Sequence, residues 1–299
     1  MTSNVEGVGL VVGAHGRHLM VELADGTRLR CHTRGKKSDC VVGDRVRWAR
    51  SGDEGVVEQV LPRRNLLFRQ DEWRTKSFAA NLDQLLVLVA AEPMYAETQL
   101  ARALIAAAQA AIPAFILLNK VDLPQAEAAR ERLAPYRTMG IEVLEVSLKS
   151  RLAEARAMLE PRLQGLTTFV LGPSGMGKST LINGMVPRAA AQVGEISLAL
   201  NTGRHTTTTT TWYWLDDARS AALIDSPGFQ EFGLRQVGPA ELPTLMPDIA
   251  AQAQCRFYNC THLHEPGCGV QAAVDGGTIH PSRYRIYREL FEEVSRQRW

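Results

Sequence analysis

Between residues 7 and 60 the chain alternates apolar and polar positions in short runs: Val8–Val12, His18–Leu23, Arg28–His32, Val46–Arg50 and Gly55–Val60. Period-two runs of this length, cut by Gly and Asp-Gly, predict β-strands. Asp25-Gly26 is a strong hairpin turn and Gly43-Asp44 a second turn candidate. Such closely spaced short strands fit a small Greek-key barrel of the OB-fold type; an SH3-like barrel fits the same pattern. From about residue 82 the texture changes. Apolar runs at Leu85–Ala90, Ala114–Leu118, Val143–Val146, Thr168–Leu171, Trp212–Leu215 and Ala221–Ile224 read as strands, mostly separated by amphipathic stretches. Three of those stretches, Thr98–Ala110, Gln125–Tyr136 and Leu152–Leu163, have crossover-helix length, and Pro124 suits the first turn of the second. The alternation predicts a mostly parallel α/β domain. After Leu234 the pattern breaks into a Pro-rich, Cys- and His-containing segment, and Ser282–Trp299 reads as an Arg-rich helical tail.

Composition narrows the class. Of 299 residues, 45% are hydrophobic, 22% charged and 6% aromatic, the balance of a folded globular protein, and the length favours two or three folding units. The longest apolar stretch, Ala103–Leu118, is interrupted by Gln109 and Pro113. It falls short of the roughly 18 to 20 apolar residues of a membrane span and reads as a helix followed by a buried strand. The opening MTSNVEGVGL has neither a basic nor an apolar signal region, so a cytoplasmic location is expected. The formal charge is only +2, yet residues 28 to 50 carry eight Lys or Arg against Asp39 and Asp44, including Lys36 and Lys37. That local excess is a candidate nucleic-acid patch.

The strand Thr168–Leu171 runs into Gly172-Pro173-Ser174-Gly175-Met176-Gly177-Lys178-Ser179-Thr180. At average composition the bare GxxxxGK[ST] string arises in roughly one chain in a hundred of this length. Strand, glycine-rich turn and helix start together make it a phosphate-binding loop. Backbone N–H groups would face phosphate oxygens, Lys178 would bridge the terminal phosphates, and Ser179 would offer its hydroxyl to Mg²⁺.

Asn119-Lys120-Val121-Asp122 ends another apolar strand. A carboxylate at Asp122 can accept from N1–H and the exocyclic amine of guanine, whereas adenine presents a lone pair there; the ligand is therefore expected to be GTP or GDP. Ser147-Leu148-Lys149 is similar to the SAK loop of GTPases, with Leu148 in place of the usual small residue. Asp225-Ser226-Pro227-Gly228 matches the DxxG of GTPases, where the Asp holds Mg²⁺ through water and the Gly N–H meets the γ-phosphate. Gly203-Arg204-His205-Thr206-Thr207-Thr208 lies where a Mg²⁺-binding switch threonine belongs; Thr207 is taken, with its neighbours open. Ordinary GTPases begin with the phosphate loop, whereas this chain places it after the base-binding motifs. The order implies a circular permutation, which a site built from loops on one sheet edge tolerates when the original termini are close.

The chain has five cysteines, and with no export signal their odd number points away from a disulfide framework. Cys255, Cys260, His262 and Cys268 supply three thiolates and an imidazole within 14 residues, the donor set of one closed structural Zn²⁺ site, with His264 as a rival ligand. Cys31 and Cys40 are expected to be free thiols.

The rearranged motifs joined to CRFYNCTHLHEPGC, with RHTTT and DSPGF between, closely resemble the RsgA or YjeQ family of bacterial small-ribosomal-subunit-dependent GTPases, across essentially the whole chain. The resemblance implies an N-terminal OB-fold, a central circularly permuted P-loop GTPase domain and a C-terminal zinc-binding helical domain, for which residues 1–68, 72–234 and 235–299 are the expected extents. It implies cytoplasmic GTP hydrolysis stimulated by the 30S subunit late in its maturation, with contact to 16S rRNA, no membrane partner and a monomeric state. Phe229 stands where many GTPases carry a water-orienting glutamine. His205 occupies the position to which the family assigns that role, so His205 and Lys178 are the catalytic candidates. Two other readings differ in class: a nucleotide-gated RNA-binding protein with incidental hydrolysis, and a P-loop ATPase or kinase, which Asp122 disfavours.

Overall fold

The computed structural model describes residues 6–15, 18–34, 39–70, 75–186, 210–226 and 233–296. The first five strands are β1 (Gly7–His15), β2 (His18–Glu22), β3 (Arg28–Thr33), β4 (Arg45–Ser51) and β5 (Glu54–Val60). They pair in the order β1-β2-β3-β5-β4, and β4 returns to β1 to close the barrel. This closure is the five-stranded Greek key of an OB-fold. Period-two patterning drives it: in β4, Val46 and Trp48 point inward while Arg45 and Arg47 face out. Val11, Leu19, Val21, Cys31, Val46 and Val57 form the barrel's own core.

A hairpin of β6 (Leu66–Gln70) and β7 (Thr75–Ala80) follows. The apolar pattern misses it because charged and polar residues interrupt Leu66–Ala80 and no Gly or Pro punctuates a turn. Its strand β6 meets Leu234 through Gln70.

The α/β sheet comprises β8 (Gln84–Ala90), β9 (Ala114–Asn119), β10 (Val143–Glu145), β11 (Thr167–Leu171), β12 (Thr211–Trp214) and β13 (Ala222–Asp225). Its order is β10-β9-β8-β11-β13-β12, parallel except for β12. Helices α1 (Glu97–Gln109), α2 (Ala126–Thr138), α3 (Leu152–Leu163) and α4 (Lys178–Met185) connect or follow these strands. Every residue of β8 is buried, as a central parallel strand requires. The sheet does not stop at β12: Gly13 of β1 pairs with Thr211, so barrel and α/β sheet form one continuous 11-stranded sheet.

The C-terminal part is helical, with a 3₁₀ turn at Leu242–Leu245, α5 (Pro247–Ala250), α6 (Gly269–Asp275) and α7 (Pro281–Arg296). Helix α7 docks on the GTP-motif domain through Glu293, which binds Arg102 of α1, and through Arg283. The Arg283 guanidinium is buried, donates to Asp248 at 2.8 and 3.2 Å and to the Tyr136 hydroxyl at 3.3 Å, and lies 4.8 Å from the centre of the Tyr136 ring. Among the described residues no helix is long and apolar enough to cross a membrane.

Because the charge of Arg283 is desolvated, removing its partner leaves an uncompensated buried cation, a loss of about 3–5 kcal/mol. Asp248→Ala is therefore expected to lower the urea midpoint markedly, and the paired change Arg283→Met with Asp248→Leu to lower it far less. Urea unfolding followed by circular dichroism checks both.

Candidate nucleotide and metal sites

Strands β9 and β11 deliver two loops to the same edge of the sheet, and the Asn119 side chain ties them together. Its amide N–H donates to the Met176 carbonyl at 2.9 Å, and its amide oxygen accepts from the Leu148 N–H at 3.0 Å. Three motifs thus meet at one buried side chain. Gly177 makes this possible: at φ +109° it lies in the left-handed region, and a Cβ there would sit 2.4 Å from the Asn119 amide nitrogen. Gly172 is needed for a similar reason, since its Cβ would meet the Leu88 carbonyl oxygen at 2.5 Å. Leu148 contributes its backbone N–H and buries its side chain, so a small residue is unnecessary at that position.

Lys120 Nζ reaches across to the carbonyls of Gly175 at 2.9 Å and Glu92 at 2.6 Å, bracing the phosphate loop from outside. Val121 follows, its N–H bonded to the Val146 carbonyl. The Asp122 N–H donates to Ser147 Oγ at 3.1 Å, and Ser150 Oγ donates to the Asp122 carboxylate at 2.9 Å. Hydrogen bonding by Ser147 and then Ser150 holds the Asp122 carboxyl below the usual carboxylate range, keeping it an acceptor. Ser150 is absent from the sequence reading because it lies one residue beyond the recognised SxK string.

In the phosphate loop, Lys178 opens α4 and its Nζ contacts the carbonyls of Gly172 at 2.6 Å and Pro173 at 3.2 Å. Ser174, Ser179 and Thr180 are exposed, with the two hydroxyl residues Ser179 and Thr180 on the first turn of α4. Asp225 ends β13 beside this loop. Burial pushes its carboxyl up to about 6 despite the opposing charge of Lys178, and its Oδ1 is buried without a hydrogen-bond partner. A buried carboxylate oxygen in need of a cation is what a Mg²⁺ site requires. His205, Thr207 and Gly228, with Phe229, lie outside the described residues.

The Cys255, Cys260 and Cys268 sulfurs and one His262 ring nitrogen all lie within 4.8 Å of one another. The Cys255–Cys268 sulfur separation is 3.8 Å, and His262 Nδ1 is 3.4 and 3.5 Å from those two sulfurs. Zn–S bonds of about 2.3 Å in a tetrahedron span edges of about 3.8 Å, so this donor set fits zinc. His264 is exposed and outside the cluster. Glu265, within CRFYNCTHLHEPGC, is the organiser. Its carboxylate accepts from the N–H groups of Thr261, Leu263 and His264 and from the Thr261 hydroxyl. Though burial raises its pKa, bonds from Thr261 prevail and hold it well below the usual carboxylate range.

Elsewhere the basic patch of the barrel is largely internally paired. Arg28 binds Glu22, Arg30 binds Glu54, Arg34 binds Glu58 and Arg50 binds Glu6. Arg45 and Arg47 are exposed on β4 and, among the described residues, make no ion pair. Lys36 and Lys37 lie outside the described residues. Neither Cys31 nor Cys40 forms a disulfide, and burial pushes the Cys31 thiol up to about 12.

Comparison with known proteins agrees with this architecture. The sequence profile described as RsgA GTPase matches residues 60–235. A protein of Variovorax paradoxus, named small ribosomal subunit biogenesis GTPase RsgA, is 61% identical over 97% of this chain and 93% of its own length. One of the same name from Bordetella pertussis is 52% identical over 98% of each chain. Among solved structures, YjeQ from Thermotoga maritima superposes with a TM-score of 0.71 at 30% identity, covering 96% of this chain and 98% of that one. YloQ, described as a circularly permuted GTPase, gives 0.70 at 25% identity, covering 98% and 96%. With the permuted motif order, the OB-fold and the Cys₃His cluster all in place, the chain belongs to the RsgA GTPase family.

Proposed function

We propose that this chain hydrolyses GTP to GDP and phosphate while bound to the 30S ribosomal subunit, during late small-subunit maturation. The observation that carries the reading is the Asn119 hub, which joins the base-reading loop to the phosphate loop at the end of one sheet that also contains the barrel. Asp122 reads guanine, with Ser147 and the Leu148 N–H framing the base. The backbone from Gly172 to Gly177, with Pro173, Ser174, Gly175 and Met176 between, wraps the phosphates, and Lys178 turns from its two carbonyls to phosphate charge. Ser179 and Thr207 would hold Mg²⁺ and Asp225 would hold it through water, the ion would supply positive charge against the phosphates, and the Gly228 N–H would meet the γ-phosphate. His205 orients the attacking water in place of the glutamine that Phe229 replaces. Cys255, Cys260, His262 and Cys268 hold one structural Zn²⁺.

In this reading residues 1–68 form an RNA-binding OB-fold, 72–234 the GTPase domain and 235–299 the zinc domain of a cytoplasmic monomer. Arg45 and Arg47, the exposed basic pair on β4, are the described residues best placed for 16S rRNA phosphates.

GTP turnover measured with and without saturating 30S subunits tests the reading, which requires strong acceleration and preference for GTP over ATP. Asp122→Asn should move the preference from guanosine to xanthosine triphosphate, because an amide donates where the carboxylate accepts. An unchanged preference would remove the base assignment. Reversal of Arg45 and Arg47 to Glu should weaken 30S binding and flatten its dependence on salt concentration, since fewer counterions are released; sedimentation across a salt series reads this. His262→Ala should release about one equivalent of zinc and loosen the C-terminal helices while GTP affinity survives, read by metal analysis and nucleotide titration.

A further inference from the structure

A row of residues that crosses from barrel to nucleotide site assigns a role to a side chain far from the GTPase motifs. Gly13 of β1 pairs with Thr211, and Thr211 pairs with Asp225, so the barrel backbone, the first residue of β12 and the cation-seeking carboxylate lie side by side in one sheet. At the other end of β12 the barrel takes a second grip. Glu22 of β2 is buried, and its carboxylate accepts from the Trp214 indole N–H at 2.8 Å. The same carboxylate binds Arg28 at 3.0 Å and Arg219, from the turn between β12 and β13, at 3.5 Å.

Arg219 has a φ of +56°, a conformation that costs a non-glycine residue energy and needs its surroundings to hold it. Its guanidinium packs where Gly26, in the β2–β3 turn, leaves room: a Cβ on Gly26 would sit 1.9 Å from an Arg219 nitrogen. The two turns therefore interlock, and β12 is held to the barrel at both Thr211 and Trp214. Strand β12 is only four residues long. All four of its residues pair with β13, and these two attachments tie that pair of strands to the barrel.

We propose that Glu22 is a positioning residue for the magnesium–GTP complex. Held through Trp214 and Arg219, β12 keeps Thr211 in register with Asp225 and so aims the Asp225 carboxylate at the metal. This inference rests on the GTPase reading, because it assumes that Mg²⁺ and GTP occupy this site. It makes the barrel a structural part of the metal site as well as an RNA-binding module.

The test uses the full chain and a fluorescent GTP analogue titrated with Mg²⁺ present and with Mg²⁺ chelated. Trp214→Phe keeps an aromatic ring, smaller than the indole, but loses the N–H; Glu22→Ala removes the acceptor; Glu22→Gln keeps an acceptor for Trp214 and serves as the rescue. Trp214→Phe and Glu22→Ala should each raise the half-saturating Mg²⁺ concentration roughly fivefold with Mg²⁺-free nucleotide affinity near that of the parent; the thermal midpoint should stay near the parent's in Trp214→Phe and fall in Glu22→Ala, which also strips Arg28 and Arg219 of their carboxylate. The double variant should be little worse than either single, because both remove one link. Glu22→Gln should stay close to the parent. A Mg²⁺ requirement for Trp214→Phe equal to that of the parent overturns the proposal, as does a loss that appears equally in the absence of Mg²⁺. A parent protein that 30S subunits fail to accelerate would instead overturn the functional reading, and the Mg²⁺ titration is independent of that outcome.

Discussion

The Asn119 amide is the interaction on which the nucleotide site depends. It is a neutral group, 3% exposed, with one donor committed to the Met176 carbonyl and its oxygen committed to the Leu148 N–H. Inside a protein such bonds are strong and leaving either partner unpaired is costly, so the two loops it joins cannot drift independently. The approach of Asn119 to Gly177 and the reach of Lys120 to Gly175 bind the same loops a second and third time. The Asn119–Asp122 loop and the Gly172–Lys178 loop, separated by more than 50 residues in sequence, are thereby presented as one rigid surface.

Permutation changes what is attached to that surface. On one flank, β12 carries the sheet into the barrel. On the other, Arg102 and Tyr136 on α1 and α2 take up Glu293 and Arg283 from the last helix. The zinc cluster is tied to this helix too, since Tyr284 and Tyr287 donate to the carbonyls of His262 and Thr261. The Cys₃His loop is therefore gripped through its backbone by the helix that docks on the GTP-motif domain.

Much of this was legible in the sequence, where the chemistry is local. Gly172 to Thr180, Asn119 to Asp122 and the Cys₃His spacing announce themselves because their geometry is set within a few residues. The OB-fold strands were equally legible, although only the return of β4 to β1 distinguished the closure from its alternative. What the sequence did not show is long-range pairing. The hairpin Leu66–Ala80 hides behind its own charges, the bond from Ser150 to Asp122 crosses 28 residues, and the pairing of Gly13 with Thr211 has no signature in either strand. Nor did the basic excess between residues 28 and 50 show that Arg28, Arg30, Arg34 and Arg50 meet carboxylates from neighbouring strands or the chain preceding β1.

The α/β sheet has two ends, and they are finished differently. At one end β10 has only three residues, and Glu145 on it is gripped by Arg130 and Arg137 from α2. Short length and fixed charge make that margin a poor template for another strand. At the other end β12 carries Trp212, Tyr213 and Trp214 in sequence, and that margin meets the barrel at Thr211 through Gly13 and at Trp214 through Glu22. A GTPase domain separated from its barrel would bare this margin and tend to self-associate through it. The pairing of β1 with β12 thus also closes what would otherwise be an open sheet edge.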